Sequence, residues 1–226
     1  MDRFQEFLLI APVLLFSMVA HEYAHGYAAF KQGDATAYQL GRLTWNPLKH
    51  IDPFMTVVLP ALTFFLGGFI FGGAKAVPVN PRNYRQYRRG DIIVSLAGVF
   101  VNALIAIGCT LAIILLGAIG RAAPVANDTM SILQLMMRWG IIFNLVLIFF
   151  NLIPIPPLDG SHVMKYLLPP AWSLRYQSIG MYGLPILILL LTIGRPLLNA
   201  WMTPMYFLLR HAEAAVAPFF LVSPWA

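Results

Sequence analysis

The stretch SMVAHEYAHGYAAF, residues 17–30, decides how this chain folds. It places two histidines and a glutamate inside a segment that is otherwise apolar, and the preceding residues 7–16, FLLIAPVLLF, carry no charge. Ionisable groups are costly in such surroundings unless they have a partner. The stretch therefore predicts a membrane helix that carries a binding or catalytic site.

The composition of the chain is that of an integral membrane protein. Of the 226 residues, 59% are hydrophobic and 11% are charged, and the mean hydropathy is +0.74. Soluble domains are about a quarter charged. The net charge of +6 comes from basic residues in the loops beside apolar segments, which is a topology pattern and not a nucleic-acid surface. Cys109 is the single cysteine, which excludes an intramolecular disulfide and a cysteine-based metal site.

The apolar runs predict an all-α polytopic membrane protein with about five to six transmembrane or re-entrant helices around the buried site that residues 17–30 indicate. We expect helices at residues 4–30, 92–119, 130–152 and 179–193, and a last apolar stretch at 197–221 that Pro204 and Pro218 break. The first run is expected to be retained, because it continues past any plausible signal-peptide cleavage point. The expected organisation is one membrane domain, residues 1–226, with a metal-site core at about 4–165 and C-terminal helices at about 178–222.

Residues 54–71 fit two different elements. They are apolar enough to cross the bilayer, but Pro60 and the glycines of GGFIFGG also suit a kinked or re-entrant element. Ten of the 15 lysines and arginines lie in residues 31–53, 73–91 and 154–177. Because cytoplasmic loops collect Lys and Arg, we expect all three loops on the cytosolic side of the cell (inner) membrane, with residues 54–71 entering and leaving on that side.

The motif HEYAH, residues 21–25, has the H-E-x-x-H spacing of a helical zinc site. Positions i and i+4 of a helix share a face, so the imidazoles of His21 and His25 can bind one Zn²⁺ ion. Glu22 is rotated by one residue and can reach a water at the metal without being a ligand, which suits a general base. At ~1.5 Å per residue the site lies on the order of 10 Å above the cytosolic end of the helix, within reach of water from the cytosol.

A catalytic zinc usually takes three protein ligands, and two residues compete for the third position. Asp159 ends the stretch NLIPIPPLDG, residues 151–160, directly after an apolar run. Three prolines break the chain there and leave free backbone groups, which indicates a site. His162 is the rival, since it would share a face with Asp159 if a helix resumes. The chemistry favours Asp159 and leaves the choice open.

The motifs HEYAHG and NLIPIPPLDG together resemble the site-2 protease family of intramembrane zinc metalloproteases, in a compact prokaryotic branch without a PDZ domain. The family signatures are HExxH on one membrane helix and N-x-x-P-x-x-x-x-D-G on a later one. The stretches at residues 33–53 and 71–85 are also similar to this branch. The likeness covers most of residues 17–165.

Carried over residue by residue, the resemblance implies that His21, His25 and Asp159 bind one Zn²⁺ per chain and that Glu22 is the general base. It also implies that Asn151 polarises the scissile carbonyl, as an amide donor near the metal could. The alternative role for Asn151 is a cap at the C-terminal end of its helix.

The sequence departs from the family pattern on the middle core helix. The family often has G-P-x-x-N there, whereas GVFVN, residues 98–102, lacks the proline. This leaves the local helix geometry open, and Asn102 could simply be an interhelical hydrogen-bond group. The departure does not touch the expected metal ligands.

The resemblance implies a hydrolase that cuts peptide bonds within or near transmembrane segments of membrane proteins. Such enzymes serve regulated intramembrane proteolysis or the clearance of signal-peptide remnants. The expected partners are a membrane-protein substrate and the lipid bilayer, with no nucleic acid; the sequence does not specify the oligomeric state. The alternative is an intramembrane metal-ion transporter or sensor using the same histidines, which would leave Glu22 without a purpose.

Overall fold

The computed structural model describes residues 2–67 and 70–222, and this part of the chain contains helices and no β-strand. Its α-helices are α1 (Arg3–Gln32), α2 (Thr36–Gln39), α3 (Leu59–Gly67), α4 (Tyr87–Ala122), α5 (Asn127–Asn151), α6 (Asp159–Met164), α7 (Pro170–Ser178), α8 (Gly183–Thr192) and α9 (Arg195–Val216). Four helical stretches are long and apolar enough to cross a membrane: Arg3–Gln32, Tyr87–Ala122, Pro124–Asn151 and Pro170–Thr192. These observations confirm the predicted all-α membrane fold.

Helix α1 has well-defined ends that explain its length. At its start the Asp2 side chain accepts a hydrogen bond from the Gln5 main-chain N–H, and the Gln5 side chain accepts one from the Asp2 N–H. This reciprocal cap satisfies two main-chain donors that a helix start leaves free. At its end Gly33 adopts φ 110°, a left-handed conformation that stops a helix. The HEYAH motif therefore lies within one continuous helix, as predicted.

Helix α4 shows most clearly how the chain is built for a membrane. One of its faces is apolar and more than half exposed, as lipid-facing side chains would be: Phe100, Leu104, Ile107, Leu111 and Leu115. The opposite face is buried and contains the polar residues Asp91, Ser95 and Asn102. Because α4 packs against both α1 and α5, this polar face lies inside the helix bundle.

Residues 53–67 form a short helical element. A π-helical turn at Pro53–Val58 leads directly into α3, and Asp52 caps the turn by accepting from the N–H groups of Phe54 and Met55. The apolar helical stretch Pro53–Leu66 has 14 residues and spans ~21 Å, less than the ~30 Å hydrocarbon core. This length favours the re-entrant alternative. Gly68 and Phe69 lie outside the described residues.

Residues 70–80, which we call the strap, follow this element and have no helical structure. The strap is tied to residues 50–56 by main-chain hydrogen bonds. The Gly73 N–H donates to the Met55 carbonyl at 2.9 Å, and the Lys75 N–H donates to the His50 carbonyl at 2.8 Å. These bonds hold the strap beside the loop that follows α1.

The C-terminal helices differ from the prediction in two places. A helical stretch begins at Pro170, nine residues before the predicted start, because proline is well tolerated at the first position of a helix. It runs from α7 through the 3₁₀ turn Ile179–Tyr182 into α8. Pro204 lies inside α9 and does not break it, whereas Pro218 lies beyond the helix in a short 3₁₀ turn.

Helix α9 and the residues after it pack on the α4–α5 pair. Met202 and Met205 of α9 share a buried apolar cluster with Ile113 of α4 and Ile141 of α5. The fully buried Gln134 side chain donates to the carbonyls of Ile113 and Phe219 and accepts from the Leu221 N–H. The end of the described chain is thereby joined to the two central helices.

Candidate metal centre

Three predicted ligands converge between α1 and the start of α6. His21 and His25 lie one turn apart on α1, and their Nε2 atoms are 2.9 Å from each other. The Asp159 Oδ2 atom is 3.2 Å from Nε2 of His21 and 3.4 Å from Nε2 of His25. Among the described residues, these three form a group whose ligand atoms could hold one metal ion. Their role as ligands stays a prediction, which the geometry now supports.

The spacing of the three atoms suits zinc. Tetrahedral Zn²⁺ with ligand bonds of about 2.0–2.2 Å separates its ligand atoms by roughly 3.3–3.6 Å. The two distances to Asp159, 3.2 and 3.4 Å, are close to this range, whereas the two Nε2 atoms, at 2.9 Å, lie somewhat closer together. Two imidazoles and a carboxylate are also a donor set that Zn²⁺ accepts. The site is shielded, since the His21 side chain is 8% exposed and that of Asp159 is 18% exposed. The residues present therefore fit a zinc ion.

Helix α4 orients the His25 ring. The His25 Nδ1 atom lies 2.7 Å from the main-chain carbonyl oxygen of Val94, so the Nδ1–H donates to it. A neutral imidazole that carries its proton on Nδ1 keeps the lone pair on Nε2. Val94 thus fixes the tautomer that a metal ligand requires.

Helix α4 also orients the His21 ring. The Asn102 Nδ2 atom lies 3.1 Å from His21 Nδ1, and the Asn102 Oδ1 atom is buried with no hydrogen-bond partner. The oxygen and nitrogen of an amide are assigned from their hydrogen bonds, and the orientation that accepts from the His21 Nδ1–H satisfies that oxygen. Gly98 lies over the ring, where a Cβ atom would approach His21 Nε2 to 2.5 Å. These contacts give Gly98 and Asn102, the two ends of the GVFVN stretch, a role at the site.

Asp159 is placed by the break between α5 and α6. The chain turns through residues 152–158, where the main-chain N–H groups of Ile153, Ile155 and Leu158 find carbonyl partners within the turns. Helix α6 then begins at Asp159 itself, and Leu158 precedes it in extended conformation. The proline-rich stretch therefore brings a carboxylate to α1 across a sequence distance of more than 130 residues.

The rival ligand His162 has a different partner. Its Nδ1 atom lies 3.3 Å from Asp91 Oδ1 on α4, and the ring is not in the ligand group. Asp91 is 2% exposed and also contacts Lys165 Nζ at 2.6 Å and the Tyr166 hydroxyl at 2.9 Å. The cluster of Asp91, His162, Lys165 and Tyr166 ties α6 to α4. It thereby supports Asp159, which begins the same helix.

Glu22 and Asn151, the two predicted catalytic residues, hydrogen-bond to different parts of the chain. The Glu22 Oε2 atom accepts a hydrogen bond of 2.8 Å from the Val77 main-chain N–H in the strap. The Asn151 Nδ2 atom donates to the Leu147 carbonyl one turn earlier in α5, at 2.9 Å. In this arrangement the Asn151 amide serves its own helix end. The proposed role of Asn151 toward the scissile carbonyl stays a prediction.

The sequence analysis gave Asp91, Val94 and Gly98 no role at the site and left the role of Asn102 open. Asp91, Val94, Gly98 and Asn102 follow one another at intervals of 3 or 4 residues, so they lie on one face of the helix. The polar and small residues among them carried a signal, because an aspartate and an asparagine at helical spacing in a membrane helix predict an inward face. The Val94 and Val77 contacts use main-chain atoms, so they cannot be predicted from the residue types at these positions.

A helical membrane protein with an HExxH histidine pair, a neighbouring glutamate and a converging aspartate has the features of a membrane-embedded zinc metalloprotease. Residues 9–191 match the family model described as Peptidase family M50. The chain belongs to this family, the site-2 protease family, and is a zinc metalloprotease by membership.

Named relatives agree with this assignment. The chain is 36% identical over 211 residues to the "Putative zinc metalloprotease YwhC" of Bacillus subtilis, an alignment that covers 88% of this chain and 92% of the relative. It is 32% identical over 201 residues to the "Putative zinc metalloprotease Rip2" of Mycolicibacterium smegmatis, covering 86% of this chain and 70% of that protein. No solved structure gives a significant match.

Proposed function

We propose that this protein is an intramembrane endopeptidase that hydrolyses peptide bonds within or near transmembrane segments of membrane proteins. The observation that carries the proposal is the convergence of His21, His25 and Asp159 inside a bundle of membrane-length helices. One Zn²⁺ per chain would be held by these three residues. When bound, the ion would make water a better nucleophile and polarise a carbonyl oxygen.

The protein's own residues supply the remaining chemistry. Glu22, next to His21 on α1, would take a proton from the attacking water and later pass it to the leaving amine. Val94 and Asn102 would keep both imidazoles in the tautomer that leaves Nε2 free. The burial of the site would exclude most water, and the low water content would strengthen the electrostatic contacts within the site.

The substrate would reach the site from the side. A peptide bond in a membrane helix is already hydrogen-bonded, so the helix must unwind locally before cleavage. An apolar cavity of about 400 Å³ lies between α1, α3, α5, α8 and α9 and is bordered by Phe71 and Gly72 of the strap. Its lining includes Met18, one turn before Glu22 on α1, so the cavity supports lateral entry of a substrate segment beside the element at residues 53–67.

We place the active site within reach of the cytosol in the cell (inner) membrane, since ten of the 15 basic residues lie in the three loops beside this end of the bundle. The physiological reaction would be the second cut of regulated intramembrane proteolysis or the removal of signal-peptide remnants. Both reactions present a single transmembrane segment as substrate.

The test is a comparison of wild type with Glu22→Gln in detergent on a model single-span substrate. We expect both proteins to contain zinc and only the wild type to cleave, because the amide cannot accept the proton. A zinc-replete Glu22→Gln protein that cleaves at the wild-type rate would refute the assigned base. Zinc flux in liposomes that is insensitive to this substitution would favour the transporter instead.

A second test addresses the unwinding of the substrate. Replacing helix-breaking residues of the model substrate with leucine should slow cleavage, because leucine stabilises the helix that must open. A soluble peptide of the same cleavage sequence serves as the control and should be cut equally with either residue. Equal cleavage of both membrane substrates would contradict the unwinding step.

A further inference from the structure

The strap crosses α1 at the proposed catalytic glutamate. Val77 is 5% exposed, and its main-chain N–H donates to Glu22 Oε2 at 2.8 Å. The two residues are 55 positions apart in the sequence. A hydrogen bond from a main-chain N–H to a carboxylate is among the stronger and more directional contacts in proteins.

The strap is anchored on both sides of Val77. Before it, the Arg42 guanidinium donates to the main-chain carbonyls of Lys75 at 3.0 Å and Ala76 at 3.2 Å. After it, the fully buried Asp34 carboxylate accepts from the Asn80 N–H at 2.6 Å. Anchors three residues or fewer from Val77 on both sides restrict where its N–H can point.

Gly26 provides the space that this contact needs. It lies on α1 one turn after Glu22, and a Cβ atom there would approach Val77 Cγ1 to 2.9 Å. Such a distance is too short for two carbon atoms, so any larger residue at position 26 would push Val77 outward. The nearest neighbour of Gly26 is therefore the strap.

We propose that the Val77 N–H and Gly26 are positioning groups for Glu22. The N–H engages one carboxylate oxygen of Glu22, and the other oxygen stays free to accept the proton of the attacking water. Gly26 acts by allowing the strap to approach α1 closely enough. This inference rests on the proposed function, in which Glu22 is the general base.

The first experiment measures peptide cleavage and zinc content of Gly26→Ala. We expect kcat to fall by about tenfold or more with KM and zinc content unchanged, the size typical of lost supporting contacts. The matched control is Gly108→Ala in α4, where a Cβ atom would meet nothing within 4 Å. The control should cleave like wild type, since alanine is a better helix former than glycine.

A compensating substitution separates positioning from a general packing defect. Val77→Ala removes Cγ1 and keeps the main-chain N–H, so the double variant with Gly26→Ala should regain most of the kcat that Gly26→Ala loses, relative to Val77→Ala alone. Loss of zinc in Gly26→Ala, full activity of that variant, or failure of the double variant to recover would each overturn the proposal.

The second experiment does not depend on catalysis. Hydrogen–deuterium exchange at Val77 is the difference between peptides that end at Ala76 and peptides that end at Val77 or Pro78, because Pro78 adds no amide hydrogen. We expect Glu22→Ala to speed this exchange by about tenfold or more, while Glu22→Gln, which keeps an acceptor oxygen, retains protection. Unchanged exchange in Glu22→Ala would overturn the positioning role. If the wild-type protein does not cleave the model substrate but Val77 shows this exchange pattern, the proposed function is refuted while the contact between Val77 and Glu22 stands.

Discussion

The two faces of α4 differ in what they require of the sequence. The outer face carries large apolar side chains from Phe100 to Leu115 that are between 51% and 64% exposed. The inner face carries Asp91, Gly98 and Asn102, each in contact with a residue of the site or of α6. The outer face requires only apolar side chains, whereas each position of the inner face requires a particular chemical group.

This difference indicates which positions of α4 matter for function. Lipid solvates any apolar side chain on the outer face, so substitutions among Leu, Ile and Phe change little there. On the inner face, a ligand ring, a carbonyl oxygen and a carboxylate must meet their partners within hydrogen-bond distance. Substitutions on the two faces should therefore have very different effects.

The largest effect is expected from Asp91→Asn. This change removes the charge that Lys165 contacts at 2.6 Å and leaves the buried ammonium without its counter-charge. Breaking a buried pair in this way lowers the free energy of unfolding by about 3 kcal/mol. Denaturation of the purified protein in mixed micelles measures this change in the free energy of unfolding. Leu111→Ala on the outer face is the control, and an equal loss in both variants would erase the distinction between the faces.

Gly98→Ala should act directly on the metal site. The added Cβ atom would lie 2.5 Å from His21 Nε2, so the ring must move away from its ligand position. Overpacking of this kind costs about 2 kcal/mol, or roughly thirtyfold in zinc affinity. Competition with a chelator measures the affinity. Gly108→Ala, on the same helix but in open space, should bind zinc like wild type; equal affinities of the two variants would contradict the packing of Gly98 on His21.

Asn102→Ala should have a smaller effect on the same property. It removes the partner of His21 Nδ1 without adding bulk, and loss of such a partner lowers metal affinity by about tenfold or more. Asn102→Asp keeps an acceptor oxygen and should recover part of the affinity. If Asn102→Ala binds zinc as tightly as Leu104→Ala on the outer face, then Asn102 is only an interhelical contact.

Asp34 provides a contrast from outside the membrane-spanning helices. Its burial tends to raise the pKa of its carboxyl group, but hydrogen bonds from Asn80, Thr36 and Asn83 outweigh this and lower the pKa below its usual value. The stability that Asp34 contributes is therefore present above the unfolded-state pKa of about 3.9 and is lost as pH falls through the lower folded-state value.

The corresponding variant is Asp34→Asn. We expect it to lower the free energy of unfolding by about 1 kcal/mol at neutral pH, with the difference from wild type shrinking below pH 4. Thermal unfolding at several pH values measures this difference. A gap between the two proteins that is the same at every pH would contradict the assigned hydrogen bonds.

Much of the fold could be predicted from the sequence because its signals are local. The long apolar runs predicted α1, α4 and α5 to within a few residues, and the HEYAH spacing placed two imidazoles on one face of α1. The helix start at Pro170 was missed because a pair of adjacent prolines is typical of a loop as well as of a helix start.

The remainder of the site depends on contacts between distant segments. The proline-broken stretch indicated Asp159 but could not exclude His162, since the choice depends on where α4 places Asp91. The Val94 carbonyl and the Val77 N–H are main-chain groups that any residue could supply. Only the packing of α1, α4, α6 and the strap shows which of them face the site.

The most direct test of this account is the zinc content and coordination of the purified protein. X-ray absorption at the zinc edge, with metal analysis, should show one Zn²⁺ per chain bound by two imidazoles and an oxygen donor. Asp159→Ala should lose the ion or this oxygen ligand, while His162→Ala should keep both. Unchanged coordination in Asp159→Ala, or loss of zinc only in His162→Ala, would contradict the convergence of α1 and α6 on one metal ion.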